Sequence, residues 1–159
     1  MGVWTDTIPT LGSLHVPTAA ELAKITALLT AMTGAETAYT PVWTGSTTNP
    51  VINNGSITGH YRRLGKRVEV EIRVLMGGTT TFGTGNWALT LPVAALKETT
   101  LAGLALDNAP AGRPVACQIA AGTVNIFRMH TANGIITNLV PWTWAQFDSL
   151  TIRGSYETA

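Results

Sequence analysis

The sequence predicts a mainly β protein, an antiparallel β-sandwich of the jelly-roll kind, preceded by an extended N-terminal arm and one short α-helix. About seven or eight short runs of β-branched and aliphatic residues follow Tyr39, and turn residues separate them at intervals of about 8 to 12 residues. Apolar residues at helical spacing occur before Tyr39. We therefore place the arm and helix in residues 1–38 and the β-sandwich domain in residues 39–159.

Length and composition limit the classes of function. The chain has 159 residues, enough for one domain with a substantial core, and 12% of them are charged, with a formal net charge of +1. We therefore predict no nucleic-acid partner. No run approaches the roughly 18 apolar residues of a membrane span, and the start of the chain, MGVWTDTIPT, lacks the regions of a signal peptide. We expect synthesis in the cytoplasm and no membrane partner.

The single cysteine, Cys117, cannot form an internal disulfide. It stands in PVACQIA between Val115 and Ile119, which share its face of a predicted strand. Free cysteine behaves as a small apolar residue in such a place. We interpret Cys117 as a buried strand residue rather than a nucleophile.

Residues 1–17, MGVWTDTIPTLGSLHVP, carry apolar side chains among prolines and glycines with neither helical nor strand periodicity. An extended arm fits this pattern. Apolar side chains on an irregular segment need a surface to cover them, either their own domain or a neighbouring subunit. The residues expected to form these contacts are Trp4, Ile8, Leu11 and Leu14.

A helix is predicted between Thr18 and Gly34. Thr18 and Glu21 have the spacing of a capping box, and Gly34 supplies a left-handed C-terminal cap. The apolar residues between them fall three, four and three positions apart, as in a coiled-coil seam: Leu22, Ile25, Leu29 and Met32. Because so short a helix is marginal alone, we expect it to pack on its own domain or in a bundle around a symmetry axis.

The strongest strand signal is a hairpin that begins at Asn53-Asn54-Gly55-Ser56, a tight-turn sequence. Its strands are predicted in residues 56–63 and 66–76. In the second strand aliphatic and charged residues alternate, which indicates one buried face and one solvent-exposed face. The aliphatic set is Val68, Val70, Ile72 and Val74, and the charged set is Arg67, Glu69, Glu71 and Arg73.

Six further strands are predicted in residues 86–91, 101–106, 113–120, 123–130, 135–140 and 146–157. Two of them carry apolar residues on both faces. In TVNIFRMH, Phe127 and Met129 lie on the face opposite Ile126, and in LAGLALDN, Leu101 and Leu104 differ in parity. If both faces are covered, the cover is the arm, the helix or another subunit. Phe127 and Met129 are therefore candidate contacts between subunits.

No catalytic or metal-ligating constellation stands out in the sequence. Glu69 and Glu71 lie beside arginines on a predicted solvent face, where ion pairs across strands are the ordinary outcome. The histidines, His15, His60 and His130, lie in separate elements without the spacing of a metal site. No nucleophile elbow or phosphate-binding loop is present. We predict no catalytic residue, no metal, no cofactor and no enzymatic activity.

Two features favour binding over catalysis. Trp142 and Trp144 in VPWTWAQF share one face of an extended segment, where they either fill a core or interface or, if exposed, form a platform for stacking a sugar. Arg62, Arg63, Lys66 and Arg67 form a small basic cluster around the hairpin tip. Such a cluster is either solvated or faces an acidic neighbouring subunit.

One long segment resembles a known family. TPVWTGSTTNPVINNGSITGHYRRLGKRVEVEIRV, continued by GGTTTFGTGNWALTLPVAA, resembles a module in structural proteins of tailed bacteriophages, particularly those that infect actinobacteria. The resemblance is clear over residues 39–95 and extends toward Tyr156, and VPTAAELAKI resembles the short helical lead-in that precedes such modules. It implies a β-rich virion building block, often trimeric, and provides no active-site residues to transfer.

A receptor-binding tail fibre normally has a long shaft of repeats or coiled coil, whereas the pattern here is an arm and one short helix before the β domain. We therefore expect a homotrimeric capsid decoration protein on the virion surface, anchored to the major capsid protein by its arm and helix. The alternative is a minor tail or baseplate protein whose β domain binds a receptor or glycan, with other tail proteins as partners.

Overall fold

The computed structural model of the protein describes residues 16–32, 35–108 and 111–159. The chain divides into two units, Met1–Thr33 and Gly34–Ala159. The predicted domain boundary after residue 38 lies inside the first strand, which belongs to the second unit. The arm residues Trp4, Ile8, Leu11 and Leu14, and the predicted cap Gly34, lie outside the described residues.

Helix α1 (Ala19–Met32) begins at the predicted capping box. The backbone N–H of Thr18 donates to Glu21 Oε2 at 2.8 Å, and the backbone N–H of Glu21 donates to Thr18 Oγ1 at 3.3 Å. These two reciprocal bonds satisfy donors that have no partner within a helix. The carbonyl of Thr18 then accepts the first helical bond, from Leu22, at 3.0 Å.

The second unit is one sheet of ten strands, in which every pairing is antiparallel. The strands are β1 (Thr37–Tyr39), β2 (Trp43–Gly45), β3 (Ser56–Leu64), β4 (Arg67–Leu75), β5 (Trp87–Thr90), β6 (Thr99–Leu106), β7 (Gly112–Ile119), β8 (Asn125–Thr131), β9 (Gly134–Ile135) and β10 (Ser149–Glu157). Their order is β1-β3-β4-β10-β6-β7-β8-β5-β2, with β9 beside β8. The predicted mainly β antiparallel class is confirmed, and the sheet curls as a half-barrel around a single core.

The predicted hairpin is confirmed as β3 and β4. Gly55 N–H donates to the carbonyl of Ile52 at 2.9 Å, and Asn53 occupies the left-handed region with φ of 49°. Asparagine tolerates that conformation better than most residues. The four predicted aliphatic residues of β4 are all buried, while its charged residues lie on the outer face. The alternation in the sequence therefore fixes the facing of this strand.

The two edge strands of the sheet, β1 and β2, are joined by residues 40–42 alone. Thr90 of β5 binds this connection, since its N–H donates to the carbonyl of Val42 at 3.1 Å and its Oγ1 accepts from Val42 N–H at 2.8 Å. Three residues span at most about 10 Å. The sheet must therefore curl until its first and last strands come close together.

Tyr39 closes the β1 edge against β3. Its backbone pairs with Gly59, and its ring lies on Gly59 where any Cβ would overlap the ring atoms. The ring also meets Tyr61 edge-on at a centroid distance of 5.9 Å. An aromatic ring laid over a strand glycine protects a weak point in the ladder.

Residues 91–98, which follow β5, cover the end of the core at which β10 finishes. Leu91 and Ala95 are buried, and the N–H of Ala95 donates to the carbonyl of Thr123 at 2.9 Å. The N–H of Leu96 donates to the carbonyl of Glu157 at 2.7 Å. This segment is therefore hydrogen-bonded both to the residue stretch just before β8 and to the last residue of β10.

The mixed parity of β8 results from a β-bulge. Ile119 of β7 pairs with Ile126, but Gln118 pairs with Arg128, so Phe127 is an additional residue in β8. A bulge reverses the facing of the residues beyond it. Ile126 and Met129 consequently both point into the core, where both are fully buried. The expectation that Met129 lies on an outer contact face is therefore wrong.

The predicted strand in residues 135–140 is also wrong. Only β9 forms there, and the chain then makes a tight turn in which Thr137 and Val140 bond to each other. Asn138 lies in the turn, and Pro141 follows it without an N–H to donate. The segment serves as the start of a loop instead.

We expect Ile72→Ala to lower the free energy of unfolding by about 2 to 5 kcal/mol, since Ile72 is fully buried and its truncation leaves a cavity. Glu71→Ala should cost under about 1 kcal/mol, because its ion pair with Arg153 is exposed. Urea unfolding of both variants measures the difference. Equal losses would mean that the outer face of β4 is itself buried in an interface.

Candidate functional site

The loop between β9 and β10 contains both tryptophans of the predicted ligand platform. Trp144 is 2% exposed, and its Nε1 donates to the carbonyl oxygens of Thr137 at 3.0 Å and Val140 at 3.1 Å. Its ring packs against the fully buried Trp87 at a centroid distance of 5.0 Å. Trp144 is therefore a core residue, because neither its ring nor its N–H is left for a ligand.

Trp142 is half-buried and lies beside Trp144 at a centroid distance of 5.4 Å. Its Nε1 donates to Asp148 Oδ2 at 3.0 Å. The indole is thus fixed by the core on one side and by a carboxylate on the other. A two-ring platform of Trp142 and Trp144 does not form, although part of Trp142 remains accessible.

Asp148 organises this loop from a fully buried position. Besides Trp142, its Oδ2 accepts from the N–H of Ala145 at 2.9 Å, and its Oδ1 accepts from the N–H of Asn108 at 2.9 Å. A buried carboxylate is costly unless hydrogen bonds compensate for lost hydration, and here three donors do so. Asp148 thereby ties the loop to the chain that follows β6.

Phe147, next to this carboxylate, is the most unusual residue of the loop. Its φ is 71° and its side chain is 58% exposed. A bulky residue with positive φ is an outlier, and left-handed backbone costs a residue with a Cβ about 1 to 2 kcal/mol. The sequence gives no signal for this geometry, because the conformation is imposed by contacts distant in the chain.

The outer face of β3, β4 and β10 forms a shallow groove of about 410 Å³ whose lining includes His60, Arg62, Glu69, Glu71 and Arg153. Arg153 Nη2 lies 2.7 Å from Glu71 Oε1, and Arg67 Nε lies 3.9 Å from Glu69 Oε1. The pair of Arg153 and Glu71 joins β10 to β4, as expected for ion pairs across strands, whereas Arg67 and Glu69 pair within β4. These ion pairs occupy the carboxylates with charge partners rather than leaving them for acid-base chemistry.

The helical seam is exposed. Leu22, Ile25 and Leu29 are 51%, 49% and 56% accessible, and Met32 is the last residue of the helix. An apolar stripe of this kind normally faces a core or another helix. The seam predicted from the sequence is therefore present as a stripe that the described residues do not cover.

A second apolar surface lies on the outer side of β6. Leu101 and Ala105 point inward and are buried, whereas Leu104 and Leu106 are each 42% exposed. Leu104 lies opposite Pro114 of β7, and Ala102 lies opposite Ala116, so the neighbouring strand is apolar as well. The predicted two-sided apolar character is confirmed for β6, and its outer side is open.

Burial favours the neutral forms of the cysteine and of two tyrosines of the β unit. Burial raises the pKa of the Cys117 thiol to about 12. Burial also raises the pKa of Tyr156 to about 12, although its hydroxyl donates to the carbonyl of Val93 at 2.8 Å. For Tyr39 the pKa is likewise raised, chiefly by burial. Cys117 is thus a thiol rather than a thiolate at neutral pH, as expected for an inert core residue.

No group of three or more histidine, cysteine or acidic side chains comes together in residues 16–32, 35–108 and 111–159 in a way that would hold a metal ion. Within the same ranges, no helix has the length and apolar character needed to cross a membrane.

Comparison with known proteins adds no assignment. No protein-family model, no curated protein and no solved structure matches the chain. The resemblance of residues 39–95 to virion modules therefore depends on the quoted motifs themselves.

We expect stability to decline at alkaline pH. The folded-state pKa values of Cys117 and Tyr156 lie above their ordinary values of 9.0 and 10.0, so above about pH 9 the unfolded chain releases protons that the folded chain retains. The free energy of unfolding should fall from there to about pH 12. Urea unfolding at pH 7, 9, 10 and 11 measures this fall.

Tyr156→Phe serves as the control for the alkaline decline. It should reduce the dependence of stability on pH above pH 10, because one of the shifted groups is gone, even though the hydrogen bond to Val93 is also lost. A stability that stays constant or rises between pH 9 and 11 in the wild type would contradict the shifts.

Proposed function

We propose that this chain is a non-enzymatic structural protein of a bacteriophage virion, which forms a homotrimer and decorates the outer surface of the capsid. It is made in the cytoplasm of the bacterial host, and its partners are copies of itself and the major capsid protein. The observation that carries the proposal is the uncovered apolar seam of α1. The resemblance of residues 39–95 supplies the virion context.

The seam is suited to contact with copies of the same helix. Its residues repeat at the three- and four-residue spacing that keeps one stripe in line along a coiled coil. Full burial of each Leu or Ile side chain contributes about 1.5 to 3 kcal/mol. A 14-residue helix is close to the limit of stability alone, so association is a direct way to stabilise it.

The outer side of β6 offers a second contact in the β unit. Leu104 and Leu106 face solvent beside Ala102, and Pro114 and Ala116 continue the apolar surface onto β7. Symmetric oligomers use such patches on every subunit. Both units of the chain thus carry apolar surface, which supports an assembly role for each.

The chemistry of the polar groups supports a role without catalysis. Glu71 and Glu157 are ion-paired with Arg153 and Lys97 at 2.7 and 2.8 Å. Asp148 accepts three hydrogen bonds, and burial keeps Cys117 protonated. Charge pairs or structural hydrogen bonds thus already engage these carboxylates, and burial holds the thiol in its unreactive form.

We expect the purified protein to sediment at about three times its monomer mass of 16.8 kDa, because three α1 seams bury one another. Ile25→Lys should dissociate the trimer, since it places a charge in the seam. Sedimentation equilibrium at micromolar concentration measures the mass of both proteins.

Ala27→Lys is the matched control, because it introduces the same side chain on the opposite side of the helix. It should leave the trimer intact. A wild-type protein that remains monomeric at micromolar concentration, or equal effects of the two lysines, would contradict a trimer held by the seam.

We expect antibodies raised against the β unit to label the heads of intact particles of the phage that encodes the chain. Electron microscopy of gold-labelled particles measures the location, with antibodies against an unrelated protein as the control. Label confined to tails would replace capsid decoration by the tail or baseplate alternative. Purified particles without the chain would contradict a virion role altogether.

A further inference from the structure

The end of the sheet that carries Phe147 is built from four connections. Ser56, Leu75, Ser149 and Leu106 lie in one row across β3, β4, β10 and β6, so the chain segments beside them share that end. They are the turn at 52–55, the loop at 76–80, the residues after Leu106 and the loop that ends at Asp148. Phe147 therefore belongs to a surface formed by several segments.

This surface is held rigidly by backbone hydrogen bonds. Phe147 N–H donates to the carbonyl of Met76 at 2.9 Å, and Met76 N–H donates to the carbonyl of Asp148 at 2.9 Å. The three donors on the Asp148 carboxylate fix the other side of Phe147. The exposed ring is consequently displayed on a braced backbone rather than on a free loop.

Phe147 is unfavourable for folding in two respects. Its positive φ would suit glycine or asparagine, and its ring leaves most of its apolar surface in water. Strained residues of this kind are concentrated at ligand-binding positions. A contact between the ring and a ligand would offset the free-energy cost of the positive φ and of the exposed apolar surface.

The described segments around the ring are polar and carry no cationic side chain. Within residues 52–55, 76–80, 107–108 and 141–148 the charged side chains are those of Asp107 and of the fully buried Asp148, so none of them is a cation. Gln146 lies against Gly78, and Asn53 and Asn54 bond to Thr79. Amides and hydroxyls bind neutral hydroxyl groups, whereas nucleic acids and acidic peptides require cations.

We propose that this end of the sheet is a carbohydrate-binding site, in which Phe147 stacks on the C–H face of a neutral sugar and Gln146 and Thr79 bind its hydroxyl groups. An aromatic ring with a few placed polar groups is the usual composition of such a site. The site does not depend on the proposed trimer, and it replaces the Trp142 and Trp144 platform that the sequence suggested.

The test uses the full chain and neutral hexasaccharides of glucose, galactose, mannose and N-acetylglucosamine, each at millimolar concentration. Saturation-transfer NMR should show transfer to at least one of them. Phe147→Gly should weaken that binding at least about tenfold, while its melting temperature stays the same or rises because glycine relieves the backbone. Phe147→Trp should retain binding, because it keeps an aromatic face.

Leu96→Gly is the control, since Leu96 is a similarly exposed apolar residue at the opposite end of the sheet, where it bonds to Glu157. It should leave saccharide binding unchanged. Absence of transfer to every hexasaccharide would overturn the proposal, and so would equal losses in Phe147→Gly and Leu96→Gly. The proposal would also be overturned if the wild type bound no saccharide and the Phe147→Gly variant no longer self-associated. That pair of results would identify the ring as a contact between proteins.

Discussion

The connection of residues 40–42 is the constraint on which the rest of the structure depends. It joins β1 and β2, the first and last strands of the sheet order. The backbone N–H and carbonyl of Val42 in this connection both form hydrogen bonds with Thr90. Because so short a link cannot cross a flat sheet of ten strands, the sheet has to curl. The curled sheet encloses one core, so that side chains from β4 and β8 contribute to the same cluster.

The two ends of the sheet differ in character. At one end residues 91–98 turn inward and are fixed to β8 and β10, so that end is closed by apolar residues such as Leu91 and Ala95. At the other end buried Asp148 holds polar loops in place by hydrogen bonds. A closed apolar end contributes stability, whereas a rigid polar end presents side chains with a defined geometry, as recognition requires.

The sequence was sufficient wherever facing depends on local alternation. The four buried aliphatics of β4 and the Thr18–Glu21 capping box form as predicted, because both patterns are set by neighbouring residues. The sequence did not predict the backbone geometry at positions where a contact with a residue distant in the chain determines it. The bulge at Phe127 depends on pairing with β7, and the φ of Phe147 depends on Met76 and Asp148. From the sequence, Trp144 was compatible with a buried core position or with an exposed ligand platform. Its packing against Trp87 in the structure shows that it is a core residue.

Two of the exposed apolar features differ in physical kind. Leu22, Ile25 and Leu29 form a periodic stripe, and a stripe can bury itself against an identical stripe at no cost in polar groups. Phe147 is a single ring among amides and hydroxyls on a backbone that its own side chain makes less stable. A flat apolar partner would desolvate the amides and hydroxyls around the ring without replacing their hydrogen bonds to water. A ligand rich in hydroxyl groups would replace those hydrogen bonds. The cost of desolvation therefore favours self-association for the stripe and a polar ligand for the ring.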